Sequence, residues 1–399
     1  MDLVQLPPHS LRTGQVLAFS LRDAAGQLLF AAGQPLPDTP QVRELIARGP
    51  YVLAHETREY QRALAHKLDT MVLQGASMSQ LAQAEAAFVP ERPAVRLAAP
   101  TMSAVWSDLQ LHAQQVLRDP ARPDFLIRLP QLLDTVLHRL TQHPDPSLAL
   151  LIHDAAQEPL QYSARHALLS LALAELTSRQ LGWSDDRRRS LGFAALTMNV
   201  GITQQQDQHA LRQEGLSTEQ REQLSGHGDR AATMLLDMGV TDPAWLGAVR
   251  LHHDAGPGPL AGRGDGELMA RLLRRIDIYG ARLSPRRTRR ALSAAQAARA
   301  VYLDERQQPD EAGAALIKAI GLYPPGSVVR LNTGEEGMAL KRGHSANEPA
   351  VASLVGRSGA PLTQPVLRDT RLPAFAITAC LPPHEMRLRP HMDVLLKLY

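Results

Sequence analysis

The chain has 399 residues, of which 44% are hydrophobic and 21% are charged, and this length and composition predict a globular protein of two or three domains. A net charge of only +3 and an aromatic content of 4% exclude the basic, aromatic-rich surfaces typical of nucleic-acid-binding proteins. The single cysteine, Cys380, excludes a disulfide framework and a cysteine-rich zinc site, and it favours a cytoplasmic location. No apolar run reaches the length of a membrane span, and the N-terminus lacks a signal-peptide pattern, so we expect neither element.

The first part of the chain is predicted to be a small β-rich module. Residues 1–60 alternate short apolar runs with turn residues, and Asp23–Gly26 predicts a hairpin turn between two strands. A short helix follows, with Thr39 as its N-terminal cap, and it ends at Gly49 before another strand. Residues 61–103 combine an exposed helical pattern with several prolines, which predicts a helix and a linker.

The rest of the chain is predicted to hold a helical domain and a second β-rich module. Apolar residues recur at helical spacing almost without interruption from residue 104 to about residue 300, and we expect an all-helical domain over 104–320. Residues 321–399 are β-branched and turn-rich, which predicts short strands. The predicted fold is therefore mainly α, with a helical bundle flanked by small β-rich N-terminal and C-terminal modules.

The helical region contains the side chains of a candidate metal site, namely His166, His227, His252, His253 and Asp277. Divalent metal sites that hydrolyse phosphate esters use imidazole and carboxylate ligands, because the metals acidify a bridging water and neutralise phosphoryl charge. His252 and His253 are neighbours and point about 100° apart on a helix, so both reach one site only near a helix end. The glycines and prolines that follow them predict such an end.

In order and spacing these residues resemble the HD-GYP family, which includes cyclic di-GMP phosphodiesterases. In that family a first His precedes a central His-Asp-x-Gly-Lys motif, and a lone His, a His-His pair and a final Asp follow. The segment YSARHALL contains the matching first His166, and LSGHGDRA contains the matching lone His227. VRLHHD resembles the paired element, and RRIDIYG resembles the helix with the final Asp. The resemblance implies an HD-type helical bundle, and GLYPPGSVVRLNTGE also resembles a C-terminal element of related sequences.

The central motif departs from the family pattern. Met198 and Asn199 stand where the His-Asp pair is expected, and Ile202 replaces the lysine. An amide oxygen and a soft thioether are poor substitutes for a bridging carboxylate and an imidazole. The loop after His253 is shortened and lacks the Asp-Gly-x-Gly-Tyr-Pro signature, and Gly280 replaces a second Asp. We therefore do not expect a tight two-metal site.

The remaining residues leave two alternatives open at the site. Either no metal binds, or one divalent transition metal ion such as Fe or Mn binds weakly to His227, His252, His253 and Asp277. Without metal, His166 would be a hydrogen-bonded core histidine, and Asp277 would pair with Arg274 or Arg275. A literal His-Asp dipeptide at His153 and Asp154 precedes His166 and lacks the Gly-Lys, so we expect an ordinary helix-surface pair there.

A basic run over residues 282–290 is usually a solvated helix face. In the family register, however, Arg286 and Arg289 match basic positions that resemble phosphate contacts, and guanidinium groups suit the phosphates of a cyclic dinucleotide. Tyr162, one turn before His166, occupies a position that is an acidic ligand in family members that bind three metals.

The resemblance implies a bacterial-type signalling protein with a degenerate HD-GYP domain. We expect it to bind cyclic di-GMP or a signalling protein partner without efficient hydrolysis, as a pseudoenzyme, and to form a homodimer, as helical domains of this type commonly do. The alternative is an active metal-dependent cyclic di-GMP phosphodiesterase with a rearranged metal site. A third hypothesis is a stress-signalling scaffold that has lost nucleotide binding.

Overall fold

The structure is a computed structural model that describes residues 3–54, 56–57, 100–157, 159–215, 217–386 and 388–399. It divides into two compact units, Met1–Gln115 and Val116–Tyr399. The predicted helix and linker over 61–103 lie almost wholly outside the described residues. The predicted domain boundaries near residues 60, 103 and 320 stay predictions.

The first unit is built on a small antiparallel sheet. Its strands are β1 (Leu3–Gln5), β2 (Leu21–Arg22), β3 (Leu28–Phe30) and β4 (Tyr51–Leu53), in the order β1-β4-β2-β3. The predicted hairpin is confirmed, because β2 pairs with β3 and the N–H of Asp23 donates to the carbonyl of Gln27 at 3.0 Å. Leucine, valine, isoleucine and phenylalanine side chains from the strands and the helix between them form the core.

Two helices of this part of the chain follow from their local sequence. Helix α1 (Pro40–Arg48) begins after Thr39, whose hydroxyl accepts from the N–H of Val42 at 3.3 Å, and it ends at Gly49 with a φ of 75°. Both predicted ends are confirmed, since a threonine cap and a glycine with positive φ are the usual signals. Helix α2 (Met102–Arg118) begins in the first unit and ends in the second.

The second unit has a helical core, as predicted. Its helices are α3 (Phe125–Gln142), α4 (Pro144–Ala155), α5 (Tyr162–Gln180), α6 (Asp185–Thr197), α7 (Thr203–Leu211), α8 (Thr218–Leu224), α9 (His227–Asp237), α10 (Pro243–Leu251), α11 (Asp265–Leu283), α12 (Ala294–Tyr302), α13 (Glu311–Ile320) and the short α14 (Met392–Leu395). Nearly every side chain of α5 is buried, so this helix lies at the centre of the bundle. Within the described residues, no helix is both long and apolar enough to cross a membrane.

Two glycines set the spacing of the helices that carry most of the candidate site. A methyl group placed on Gly247 of α10 would lie only 3.1 Å from the Cα atom of Gly266 in α11, and the reverse distance is 3.2 Å. Only residues without a side chain allow the two backbones to approach this closely. Helices α10 and α11 are therefore held together by backbone contact.

The second predicted β-rich region forms a five-stranded antiparallel sheet. Its strands are β5 (Val328–Leu331), β6 (Glu336–Lys341), β7 (Ala350–Val355), β8 (Pro361–Asp369) and β9 (Ile377–Leu381), in the order β8-β7-β6-β5-β9. Val329, Leu331, Ala339 and Val351 form the core of this sheet. The mainly helical fold with two small sheets is thus confirmed.

Candidate functional site

The first candidate ligand, His166, lies one turn into the central helix α5. Its ring is buried, and Nε2–H donates to Oδ1 of Asp277 on α11 at 2.8 Å. The ring also stacks on that of Tyr162 at 5.8 Å between centroids. Within the described residues, Nδ1 of His166 has no hydrogen-bond partner. The structure therefore joins the first and last residues of the predicted constellation, which are 111 positions apart.

Asp277 does not pair with Arg274 or Arg275, so that alternative is wrong. Both arginines bind Glu305 instead, at 2.8 Å and 3.0 Å. Burial by itself would raise the pKa of Asp277, but the hydrogen bond from His166 and the nearby imidazoles hold that pKa below its usual range. The carboxylate is therefore charged at neutral pH and faces the histidines.

His227 is the first residue of α9, and it follows Gly226, whose φ is 67°. Its Nδ1 lies 2.9 Å from the carbonyl oxygen of Leu224. A carbonyl only accepts, so Nδ1 carries the proton and the lone pair of Nε2 is directed elsewhere. A methyl group on the next residue, Gly228, would lie 2.7 Å from the carbonyl oxygen of Arg250, so the start of α9 packs directly on the end of α10.

His252 is the C-terminal cap of α10, and His253 follows it in the turn. Nδ1 of His252 lies 2.7 Å from the carbonyl oxygen of Val249, which again leaves the lone pair of Nε2 free to bind a cation. Within the described residues this Nε2 atom has no hydrogen-bond partner, although His252 is only 1% exposed. The predicted position at a helix end is the one observed.

The three imidazoles of His227, His252 and His253 form a cluster. Their ligand atoms lie within 4.8 Å of one another, and the Nε2 atoms of His227 and His253 are 3.3 Å apart. In two of the rings, Nδ1–H donates to a backbone carbonyl oxygen, so Nε2 carries the free lone pair. Metal-binding histidines usually have such a hydrogen bond on the nitrogen that does not bind the metal. This donor set fits a divalent transition metal ion, and charged Asp277 is close enough to act on the electrostatics of His227 and His252.

Burial favours the neutral form of the His227 and His252 rings. It lowers the pKa of His252 to about 3, with a further contribution from His253, and it also lowers the pKa of His227. Metal binding requires neutral imidazole. His252 is already neutral at pH 7, so an ion can bind it without displacing a proton.

Acid is expected to destabilise the metal-free helical unit through His252. Its pKa is about 3 in the folded chain against an ordinary value of 6.5, so its contribution is fully present above about pH 6.5 and is lost as the pH falls. The loss between about pH 7.5 and pH 5 is about 2 kcal/mol, measured as the free energy of unfolding in urea at each pH. His252→Gln should remove this part of the pH dependence, and an unchanged dependence would contradict the assignment.

One cavity of about 510 Å³ brings most of these residues together. Its walls include His166, His227, His253 and Asp277 of the predicted ligands, and Asn199 and Ile202 of the central motif. The volume lies in the range of small-molecule sites. Sequence reasoning missed further polar residues that also line it, among them Gln206, His209, Arg221 and Arg250. Arg250 stands two residues before His252, so adjacency was a usable signal, whereas nothing in the spacing of α7 and α8 marks the other three.

The two predicted phosphate contacts differ in placement. Arg286 lines the cavity, its guanidinium lies 5.0 Å from the centre of the Tyr162 ring, and it donates to the Tyr162 hydroxyl at 3.2 Å. Arg289 does not line this cavity and instead donates to the backbone carbonyls of Ala281 and Ser284. Of these two arginines, Arg286 is therefore the one placed to contact a ligand in this cavity.

The His153 and Asp154 pair lies on α4 and does not line the cavity. The pair is thus not part of the candidate site, as its position before His166 in the sequence suggested. Both side chains are half-buried, however, so the prediction of an ordinary surface pair is wrong in this respect. Burial lowers the pKa of His153 to about 4 and raises that of Asp154 to about 6.

Comparison with known proteins found a relative that is similar in sequence. Over 242 residues, or 59% of its length, the chain is 28% identical to a cyclic di-GMP phosphodiesterase of Pseudomonas aeruginosa. The similarity supports an HD-GYP-like family. The match covers 58% of that relative, so the chain spans less than two thirds of its length. No family model and no solved structure matches the chain.

The central motif of the HD-GYP-like pattern is split between core and cavity. Met198 caps the end of α6 and is 1% exposed, and it is not among the cavity-lining residues, whereas Asn199 is. A methyl group on Gly280 would lie 3.3 Å from Nδ1 of His166, so a larger side chain at this position requires the imidazole to shift. The differences in sequence therefore coincide with a buried Met198 and with close packing around Gly280.

Proposed function

We propose that the chain is a signalling protein of the cyclic di-GMP pathway with a degenerate HD-GYP domain on an HD-type helical bundle. It binds one divalent transition metal ion and a cyclic dinucleotide without efficient hydrolysis. The observation that carries the proposal is the cluster of His227, His252 and His253, since two of its imidazoles, those of His227 and His253, line the same cavity as Asn199, where the family has its bridging Asp. A homodimer, a protein partner and a cytoplasmic location stay predictions.

Metal binding is supported by the chemistry of the cluster. Two of its three imidazoles already donate their Nδ1 protons to carbonyl oxygens, so their Nε2 lone pairs are oriented before an ion arrives. Imidazole suits Fe and Zn, and the Asp277 carboxylate would make the site acceptable to Mn. When bound, the ion supplies positive charge to phosphoryl oxygens.

Inefficient hydrolysis is supported by the residues around the cluster. In a two-metal site, a bridging group holds both ions so that they act on the attacking and leaving oxygens. Asn199 offers one neutral amide oxygen, the Met198 thioether is buried, and Asp277 already accepts from His166. The central motif therefore offers a second ion no bridging carboxylate.

Binding of a cyclic dinucleotide is supported by the guanidinium groups of the cavity. Arg221, Arg250 and Arg286 line its walls beside the carboxylates of Asp229, Asp254 and Asp277, and guanidinium groups form paired hydrogen bonds with phosphate. The relative is named for the same nucleotide. The test is calorimetric titration of metal-loaded protein with cyclic di-GMP, together with chromatography for a linear product. Absence of binding would overturn the receptor proposal and leave the scaffold hypothesis.

Arg286→Met is expected to weaken cyclic di-GMP binding by about 10- to 100-fold, the effect of losing one charge-assisted hydrogen bond. The matched control is Arg290→Met in the same basic run, because Arg290 is exposed and does not line the cavity. Equal affinity of the two variants would contradict a phosphate contact at Arg286.

The alternative is an active cyclic di-GMP phosphodiesterase with a rearranged metal site. One observation favours it, namely that Asp277 and two imidazoles of the cluster line the same cavity as Arg286. Elemental analysis of purified protein and product analysis distinguish the two. A linear dinucleotide formed by wild-type protein and absent with His252→Ala would establish the enzyme and overturn the pseudoenzyme.

A further inference from the structure

Arg271 is a fully buried cation on α11, six residues before Asp277. Arginine is almost never fully buried unless it is paired, and this guanidinium binds three different groups. Nη1 donates to the backbone carbonyl of Ala255 at 2.9 Å and pairs with Glu305 at 3.0 Å, whereas Nη2 pairs with Asp310.

The contact with Ala255 reaches the turn that carries two of the clustered imidazoles. This turn begins at the end of α10, where the carbonyl of Leu251 accepts from the N–H of Ala255 at 2.8 Å. Ala255 lies two residues after His253 and is itself buried. The turn is thus fixed by α10 at one end and by Arg271 at the other, so a movement of the Ala255 carbonyl displaces His252 and His253.

The contact with Asp310 fixes Arg271 from the opposite side. One oxygen of the Asp310 carboxylate accepts from the N–H of Gly313 at 2.9 Å and so caps α13. The other oxygen binds Arg271 and also Arg275, the latter at 3.1 Å. Because both oxygens are engaged, the guanidinium has a single orientation, and α13 becomes part of the support of the turn.

We infer that Arg271 is a positioning residue for the histidine cluster, which it holds in register with Asp277 through the Ala255 carbonyl. The inference rests on the proposed metal binding. Arg271 itself would contact neither the metal ion nor the nucleotide. The distance along α11 from Arg271 to Asp277 is about 9 Å for six residues, so one rigid helix carries both the support and a candidate ligand.

The test is titration of full-length protein with Zn²⁺ in wild-type, Arg271→Lys and Arg274→Lys forms. Lysine keeps the charge beside Asp310 but lacks the fork that also reaches the Ala255 carbonyl. We expect Arg271→Lys to weaken Zn²⁺ binding by about 10- to 100-fold, the range found for outer partners of metal ligands. Arg274 also pairs with Glu305 but does not contact Ala255, so Arg274→Lys should bind as wild type does.

Hydrogen exchange of wild-type protein gives a second measurement that needs no variant. Zn²⁺ is expected to slow exchange both in the turn at 252–262 and in the segment 303–313 that holds Glu305 and Asp310. A merely structural Arg271 would leave the second segment unaffected. Protection confined to the histidine segments, or equal Zn²⁺ affinity of Arg271→Lys and wild type, would overturn the inference. Failure of wild-type protein to bind Zn²⁺ would instead overturn the proposed metal site itself.

Discussion

Purified protein with His252→Ala is expected to lose its bound metal, with an affinity for a divalent transition metal ion more than about 100-fold below wild type. Removal of an outer partner of a metal ligand already costs about 10- to 100-fold, and His252 is a direct candidate ligand. Its Nε2 atom lies in the cluster with His227 and His253 and has no hydrogen-bond partner in the described part of the chain. Elemental analysis and titration with Zn²⁺ measure the effect.

The matched control for this loss is His153→Ala. His153 is a half-buried histidine of α4 in the same unit, and it lies outside the cavity. Circular dichroism verifies that both variants keep their helices. Equal metal content in His252→Ala and wild-type protein would show that the histidine cluster is not the metal site.

The double substitution Met198→His with Asn199→Asp is expected to raise bound metal from about one to about two ions per chain, the number in phosphodiesterase-type sites. The physical reason is the placement of Asn199, which lines the cavity together with His227 and His253 of the cluster, so a carboxylate there can bridge two ions. Hydrolysis of cyclic di-GMP should rise with the second ion, and metal analysis with product chromatography measures both.

Two further variants separate the contributions of the restored pair. Asn199→Asp alone supplies the carboxylate without the imidazole, and we expect an intermediate metal content. The double substitution combined with His252→Ala should lose both ions. A double variant that binds no more metal than wild type would show that buried Met198 marks a position from which no side chain reaches the cavity.

Features that depend on neighbours in the sequence were predictable. The Thr39 cap and the Asp23 hairpin depend on interactions within a few residues, and the structure has both. The position of His252 and His253 at a helix end followed from the angle between adjacent helical residues and from the glycines after them. Local geometry was sufficient for these features.

Partners far apart in the chain were not predictable. Spacing on α11 offered Arg274 and Arg275 to Asp277, yet Asp277 pairs with His166 and both arginines bind Glu305 in the loop before α13. Periodicity describes which face of a helix is buried, but it does not say which loop covers that face.

The sequence also could not predict which arginine of the basic run lines the cavity, nor which nitrogen of each clustered histidine carries the proton. Arg286 and Arg289 are three residues apart, and sequence alone gave no reason to separate the one that lines the cavity from the one that binds carbonyls. The proton positions of His227 and His252 likewise depend on carbonyl oxygens whose directions only the folded backbone defines.

The contact between Gly247 and Gly266 has a consequence for how this centre tolerates change over evolution. Backbone packing, not a bound ion, sets the distance between the helix before the histidine turn and the helix with Asp277. A cavity-lining residue of the central motif such as Asn199 can therefore be replaced without moving these two helices apart. The glycines are under the opposite constraint, because any side chain at either position separates the helices. Selection for a folded chain thus preserves the arrangement of the site, whether or not selection also acts on its chemistry.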